Sequence, residues 1–295
     1  MPTFIFLLFF LVSCKNSSDD SIFELLDAQE TGIEFNNVIN ETIEFNPLNF
    51  IYIYNGAGLG VIDVNNDNLP DLFFAGNKVS SKLYLNKGGL KFDDITQSAG
   101  VSTKNWATGV SIVDINADGL QDIYICMANK DDAEKGRSQL FVNQGNNTFK
   151  ESASAYGVDD DGYSTQAVFF DYDNDDDLDL YILTNAVESF GHNTIRPIKE
   201  KGHGLSTDRL YRNNGDNTFT NVSQEAGITI EGYGLGVGII DVNHDGFDDI
   251  YCANDFITND LLWVNNGDGT FKNDIKNYVS QTSYNGMGLD IADIN

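Results

Sequence analysis

Four nine-residue acidic segments recur in phase along this chain, and that recurrence constrains the fold more than any single motif. They read DVNNDNLPD at 63–71, DINADGLQD at 114–122, DYDNDDDLD at 171–179 and DVNHDGFDD at 241–249. A fifth opens as DIN at 293–295, so the first aspartates stand at 63, 114, 171, 241 and 293, at intervals of 51, 57, 70 and 52 residues. A period of this size identifies a repeat architecture whose length variation is confined to connections. A second marker keeps step with the first. Each acidic segment is followed by an apolar run, then Asn-x-Gly, then Phe six residues after the Asn: Asn86/Gly88/Phe92, Asn143/Gly145/Phe149, Asn213/Gly215/Phe219 and Asn265/Gly267/Phe271.

Within one period the signals are four short apolar runs separated by Asn, Asp and Gly, which read as strands rather than helices. In the first period they are Leu59 to Ile62, Leu72 to Ala75, Leu83 to Leu85 and Lys91 to Ile95. Four antiparallel strands in about fifty residues is the size of a propeller blade. The expected fold is therefore all-β, a β-propeller of four-stranded blades with one acidic loop in each. Runs such as IYIC at 123–126 and LYIL at 180–183 are continuously apolar, as strands covered on both faces should be. Tyr84, Phe141, Tyr211 and Trp263 share one register position and are expected to pack blade against blade. The broken-off fifth motif implies an incomplete propeller whose design continues. Residues 51–295 carry the repeats and 21–50 form a lead-in, in which SIFELLDAQ reads as a short helix and TGIEFNN as a strand placed to close the ring.

The acidic loops have the donor pattern of a cation cage. Hard dications take six to eight oxygens from a flexible loop, and side chains at positions 1, 3 and 5 of a tight turn point inward together. The first loop offers Asp63, Asn65, Asp67, the Leu69 carbonyl and Asp71; the second offers Asp114, Asn116, Asp118, the Leu120 carbonyl and Asp122. The third offers Asp171, Asp173, Asp175, the Asp177 carbonyl and Asp179; the fourth offers Asp241, Asn243, Asp245, the Phe247 carbonyl and Asp249. Position 6 is Asn68, Gly119, Asp176 or Gly246, all residue types that tolerate the left-handed backbone needed to reverse the chain. Polar hairpin turns alone account for the Asn and Gly residues. They do not account for Asp at positions 1, 5 and 9 in every copy, where converging carboxylates repel without a counter-ion. About four Ca2+ sites are expected, calcium being preferred to magnesium because all-protein cages suit it. The third loop, with a fourth carboxylate at Asp173, should bind tightest. An EF-hand is excluded, since position 12 is Phe74, Ile125, Ile182 or Cys252 inside apolar strands rather than Glu.

The N-terminus, MPTFIFLLFFLVSC, has an apolar run from Phe4 to Val12 that is too short to span a bilayer and suits an export signal. It ends in Leu11-Val12-Ser13-Cys14, similar to the bacterial lipobox, although no Lys or Arg precedes the run. The expectation is a lipoprotein signal peptide at 1–13, lipidation at Cys14 and a flexible tether through residue 20, placing the protein at the bacterial outer membrane, on its surface or periplasmic face. Cys126 and Cys252 fall in apolar strands at nearly equivalent places and read as buried core residues. The formal charge of -28 argues against nucleic acid, and against a membrane contact other than through the lipid anchor.

No nucleophile elbow, phosphate loop or zinc-helix motif is present. The irregular feature is the long connection of the third unit, where Arg196, Lys199, Lys201, Arg209 and Arg212 place five of 17 basic residues on an acidic chain. Together with His203 this loop is the candidate ligand surface, because long loops often carry function. The same residues also suit pairing with neighbouring acidic groups. Two classes of function remain: a surface-anchored binding scaffold, or a propeller enzyme acting on polysaccharide, for which His192, His203 and the loop supply the only candidate groups.

Asp-x-Asx-x-Asp-Gly-x-x-Asp between strands, with NNGDGTF at 265–271, resembles the FG-GAP or VCBS repeat of integrin-α-type calcium propellers. The lipobox, TGIEFNN and the segments Ala99-Gly100-Val101 and Ala226-Gly227-Ile228 resemble exported bacterial members that often carry an ASPIC/UnbV segment. Asn68 and Asp176 depart from the usual glycine. The resemblance implies mainly structural metal ions and a role in adhesion, glycan contact or assembly, and of the two classes a non-catalytic scaffold for a glycan or protein ligand is the expectation.

Overall fold

The computed structural model describes residues 22–128, 136–185, 197–202, 204–256 and 258–292. The signal segment, Cys14, the tether, His192, Arg196, His203 and the DIN at 293–295 lie outside the described residues. Among the described residues, sixteen strands form four antiparallel sheets, each a simple meander in chain order. The first blade comprises β1 (Leu59–Ile62), β2 (Asp71–Phe74), β3 (Lys82–Asn86) and β4 (Phe92–Asp94). The second comprises β5 (Ala107–Val113), β6 (Asp122–Met127), β7 (Gln139–Asn143) and β8 (Phe149–Glu151). The third holds β9 (Ser164–Phe170), β10 (Asp179–Thr184), β11 (Arg209–Asn213) and β12 (Phe219–Asn221). The fourth holds β13 (Gly234–Ile240), β14 (Asp249–Asn254), β15 (Leu261–Asn265) and β16 (Phe271–Asn273). Every acidic loop is the hairpin between the first and second strands of its blade.

The sheets stack face to face in sequence order, which explains the continuous apolar runs. Along β6, Ile123, Ile125 and Met127 join Phe73, Ala75 and Leu83 of the first blade in one core cluster. The alternate residues Tyr124 and Cys126 join Leu180, Ile182 and Tyr211 of the third blade in the next. A strand of period two buried on both faces has no polar side to display. Phe141, Tyr211 and Trp263 each face the preceding blade, in equivalent pairings Ile123↔Phe141, Leu180↔Tyr211 and Ile250↔Trp263. Cys126 and Cys252 are buried free thiols in separate clusters. The first strands of successive blades are also bonded, Thr108 Oγ1 donating to the Ser164 carbonyl at 2.7 Å and Thr165 Oγ1 to the Gly234 carbonyl at 3.0 Å.

The lead-in differs from its expected form. TGIEFNN is not a strand, and the helix is confined to α1 (Ala28–Thr31). This single turn ends at Gly32 (φ 81°), whose Cα lies against the Phe92 carbonyl so closely that a Cβ would meet the oxygen at 2.3 Å. The same arrangement joins successive blades: α2 (Thr96–Ala99) ends at Gly100 beside Phe149, α3 (Ala153–Tyr156) at Gly157 beside Phe219, and Gly227 sits beside Phe271. Residues 28–33 thus reproduce the connector that normally precedes a blade, and Phe35 stacks on Phe74 to cover the first blade's outer face. At the other end of the chain, Leu289 and Ile291 pack on Gly236 and Gly238 as Val110 and Ile112 pack on Gly58 and Gly60. Residues 288–291 therefore lie where the first strand of a following blade belongs.

Thr108, Thr165, Leu235 and Met287 each stand six residues before a loop's first Asp, and all four line one cavity of about 260 Å3. Matched positions of successive repeats thus converge on a common centre.

Candidate metal centres

All four acidic loops are built on one hydrogen-bond plan. The carboxylate at position 1 accepts the amides of positions 5 and 6: Asp114 takes Asp118 N at 3.0 Å and Gly119 N at 2.8 Å, and Asp63, Asp171 and Asp241 do the same. The position 5 carboxylate accepts the amide of position 7, as in Asp118 with Leu120 N at 2.9 Å. Position 6 is left-handed in every copy, with φ of 63° at Asn68, 84° at Gly119, 71° at Asp176 and 89° at Gly246. Position 4 is left-handed too, at Asn66, Ala117, Asn174 and His244. Their side chains differ so much that no residue-type signal marks that turn.

The position 9 aspartates have a structural task as well. Asp71, Asp122, Asp179 and Asp249 are fully buried. Each accepts the amide of position 2 through one oxygen and, through the other, the amide of the Asn-x-Gly asparagine. For Asp122 these are Ile115 N at 3.0 Å and Asn143 N at 2.7 Å; the other three repeat the pattern. Burial pushes Asp122 up to about 6 and Asp179 up to about 7, the bonded amides opposing the rise. Burial raises Asp71 and Asp249 as well.

The asparagine that sets the phase of the repeat closes the plan. Its Oδ1 accepts the following glycine's amide, and its Nδ2 donates to the carbonyl just before the position 9 Asp. Asn143 Nδ2 also reaches the Val64 carbonyl in the first loop, and Asn265 Nδ2 reaches the Tyr172 carbonyl in the third. Its constant spacing was visible in the sequence, but its bonding to loop residues 15 to 93 positions away was not.

The loops differ at position 3. Asn65, Asn116 and Asn243 each accept the position 5 amide, and Asn116 and Asn243 also donate to the position 5 carboxylate. Asp173 cannot donate, and its Oδ1 is buried with no hydrogen-bond partner. Carboxylate oxygens of Asp171, Asp173 and Asp179 lie within 4.8 Å of one another, the one such group among the described residues. Burial first, then Asp175 and Asp171, raises the Asp173 carboxyl. Three hard oxygens, with an orphaned oxygen on one of the same carboxyl groups, form a donor set suited to a divalent cation such as Ca2+. Arg212 stands beside this loop, lining a depression with Asp173, Asp175 and Asp177, and it partly offsets their charge.

The basic connection turns inward where it is described. Lys199 Nζ lies 3.8 Å from the buried Glu231, and Arg209 Nε lies 3.8 Å from the buried Asp160. Lys201 is exposed, its carbonyl accepting Gln224 Nε2 at 3.2 Å. Among the described residues, then, two of these cations lie beside buried carboxylates.

The model of the FG-GAP-like repeat matches residues 63–125, 126–182, 202–252 and 241–295. Cartilage acidic protein 1 of Mus musculus is 35% identical over 97 residues, and that of Homo sapiens 33% over 97 residues. In each case the match covers 32% of this chain, and the chain spans 14% of the relative's length. A solved structure of an Agrocybe aegerita lectin, described as recognising non-reducing terminal N-acetylglucosamine, is 18% identical with a TM-score of 0.41, covering 76% of this chain and 55% of that one. Four family segments spread over most of the sequence, each containing acidic-loop residues on the same hydrogen-bond plan, place this chain in the FG-GAP-like repeat family.

Proposed function

We propose that this chain is a calcium-stabilised, propeller-like binding scaffold, exported and lipid-anchored through Cys14, that holds a glycan or protein ligand without catalysing a reaction on it. The observation that carries the reading is the third loop, where Asp173, which keeps a buried carboxylate oxygen without a partner, gathers with the carboxylates of Asp171 and Asp179. When bound there, Ca2+ supplies charge compensation. Asp171, Asp173 and Asp179 would hold it, with Asp175 alongside, and the equivalent residues of the other three loops offer related sets. A ring of blades around one axis is the arrangement that the converging matched positions favour. Binding rather than catalysis is supported by the described reactive groups. The thiols of Cys126 and Cys252 are buried and pushed up by that burial, and His244 is exposed at the outer turn of its loop.

Thermal unfolding in Ca2+ and in chelator tests the metal, and a glycan array probed with the full-length protein tests the ligand. A higher Tm in Ca2+ with ligand retained and unaltered supports the reading. An unchanged Tm overturns the metal assignment, and release of cleaved product overturns the binding assignment.

A further inference from the structure

The cavity on which the repeats converge has a chemistry unlike the rest of the molecule. In a chain of 45 acidic and 17 basic residues, no carboxylate or amine among the described residues lines it. Phe50, Tyr52 and Trp106 give it aromatic walls, with Phe50 and Trp106 held edge to face at 5.2 Å. Asn185 lines it at 1% exposure, and the Asn185 Oδ1 has no hydrogen-bond partner. A buried amide oxygen without a donor costs free energy until something donates to it.

The lining hydroxyls already spend their protons inside the protein. Thr108 Oγ1 already donates to Ser164 and Cys126 carbonyls, and Thr165 Oγ1 to Gly234 and Leu183 carbonyls. Tyr52 already donates to Asp255, whose other oxygen takes the Phe256 amide. The two threonine oxygens can still accept, as can Asn185 Oδ1, and among the described residues no carboxylate lines the cavity to offset a buried cation. This lining suits an uncharged occupant that brings a hydroxyl donor for Asn185 Oδ1 and presents an apolar face to the aromatic rings. At about 260 Å3 the cavity falls just short of the ~300–1,000 Å3 typical of drug-sized ligands, which suits one ring rather than a chain. Charged groups lie on the far side of the Phe50 and Trp106 pair, where Lys78, Lys104 and Glu44 line a separate cleft.

We propose that this central cavity binds the end residue of a neutral glycan, a single pyranose ring stacked on Trp106 with a hydroxyl donating to Asn185 Oδ1. The inference rests on the reading of the chain as a binding scaffold and gives that scaffold a ligand class and a location, away from the basic connection.

The test is titration calorimetry of the full chain in Ca2+ against glucose, galactose, mannose and N-acetylglucosamine, with glucuronate and glucosamine as charged counterparts. At least one neutral sugar should bind more tightly than both charged ones. Asn185→Ala and Trp106→Ala should each weaken it by about 5- to 150-fold, the range expected for a lost buried hydrogen bond or stacking face. Trp106→Phe, which keeps an aromatic edge against Phe45 and Phe50, should weaken it severalfold with the Tm in Ca2+ retained. Lys201→Ala should change nothing. Preference for a charged sugar, or wild-type affinity in both Trp106→Phe and Asn185→Ala, overturns the proposal. Absence of any sugar binding while Ca2+ still raises the Tm overturns this proposal alone and leaves the calcium scaffold standing.

Discussion

Asp118 and Asp122 belong to one loop, yet their oxygens face different problems. Asp118 is exposed, so water replaces whatever its removal frees. Asp122 is fully buried and holds two backbone amides that no water reaches. Asp122→Ala should therefore cost about 2–6 kcal/mol by denaturant unfolding in chelator, from two stranded amides at ~1–3 kcal/mol each, and more in Ca2+, where a ligand is lost as well. Asp118→Ala should lose stability mainly in Ca2+. Asp173→Asn should reduce calcium affinity of the third loop by at least about tenfold while leaving stability in chelator nearly unchanged, because the buried oxygen it alters has no protein partner. The same residues set a pH dependence. Asp122 at about 6 and Asp179 at about 7 lie above the ordinary 3.8, so without metal the folded state binds more protons than the unfolded chain. Stability in chelator should fall as pH rises through the window from about 4 to about 7. Calcium needs the ionised forms, so the Tm gained on adding Ca2+ should shrink as pH falls through that same window. Melting curves at both ends of the window, with and without Ca2+, check both signs.

At the scale of the element, the connector between blades is the part the sequence disclosed least directly. The four strands of the first period were legible to within one or two residues, because short apolar runs between Asn, Asp and Gly leave little else to form. The register of Tyr84, Phe141, Tyr211 and Trp263 was legible for the same reason. TGIEFNN was misread as a strand because its apolar residues alternate. Its real determinant is Gly32 against a carbonyl 60 residues away, which shows only when TGI is set beside AGV and AGI. Two glycines separate the causes at such sites. Gly145 (φ 72°) has open space where a Cβ would go, so Gly145→Ala incurs only the left-handed backbone penalty, roughly 1–2 kcal/mol. Gly157 (φ 76°) would bring a Cβ to 2.9 Å of the Phe219 carbonyl oxygen. Gly157→Ala should therefore lower the Tm distinctly more than Gly145→Ala. Equal losses would mean that the connector is not tightly seated.

Across the whole molecule the four loops are joined in two pairs. Asn66 Nδ2 of the first loop donates to the Gly119 carbonyl of the second at 2.9 Å, and Asn143 returns a bond to Val64. Asn174 of the third donates to the Gly246 carbonyl of the fourth at 3.1 Å, and Asn265 returns one to Tyr172. Among the described residues no bond of either kind joins the second loop to the third, where Ala117 and Asn213 hold the corresponding positions. Apolar packing is continuous through all four blades, so the blades should unfold together while the loops communicate in twos. Ordering one loop fixes a carbonyl that its partner's side chain uses, and such coupling is reciprocal. Asp245→Ala, which disables the fourth loop, should weaken calcium binding at the third by about two- to tenfold, the worth of a hydrogen bond or two, and leave the second unchanged. Asp118→Ala should weaken the first and leave the third unchanged. Calcium titrations followed through the backbone amides of Asn68, Gly119, Asp176 and Gly246 report each loop separately. A uniform response in all loops to either substitution would show that coupling runs through the shared core instead of through the loop-to-loop amides.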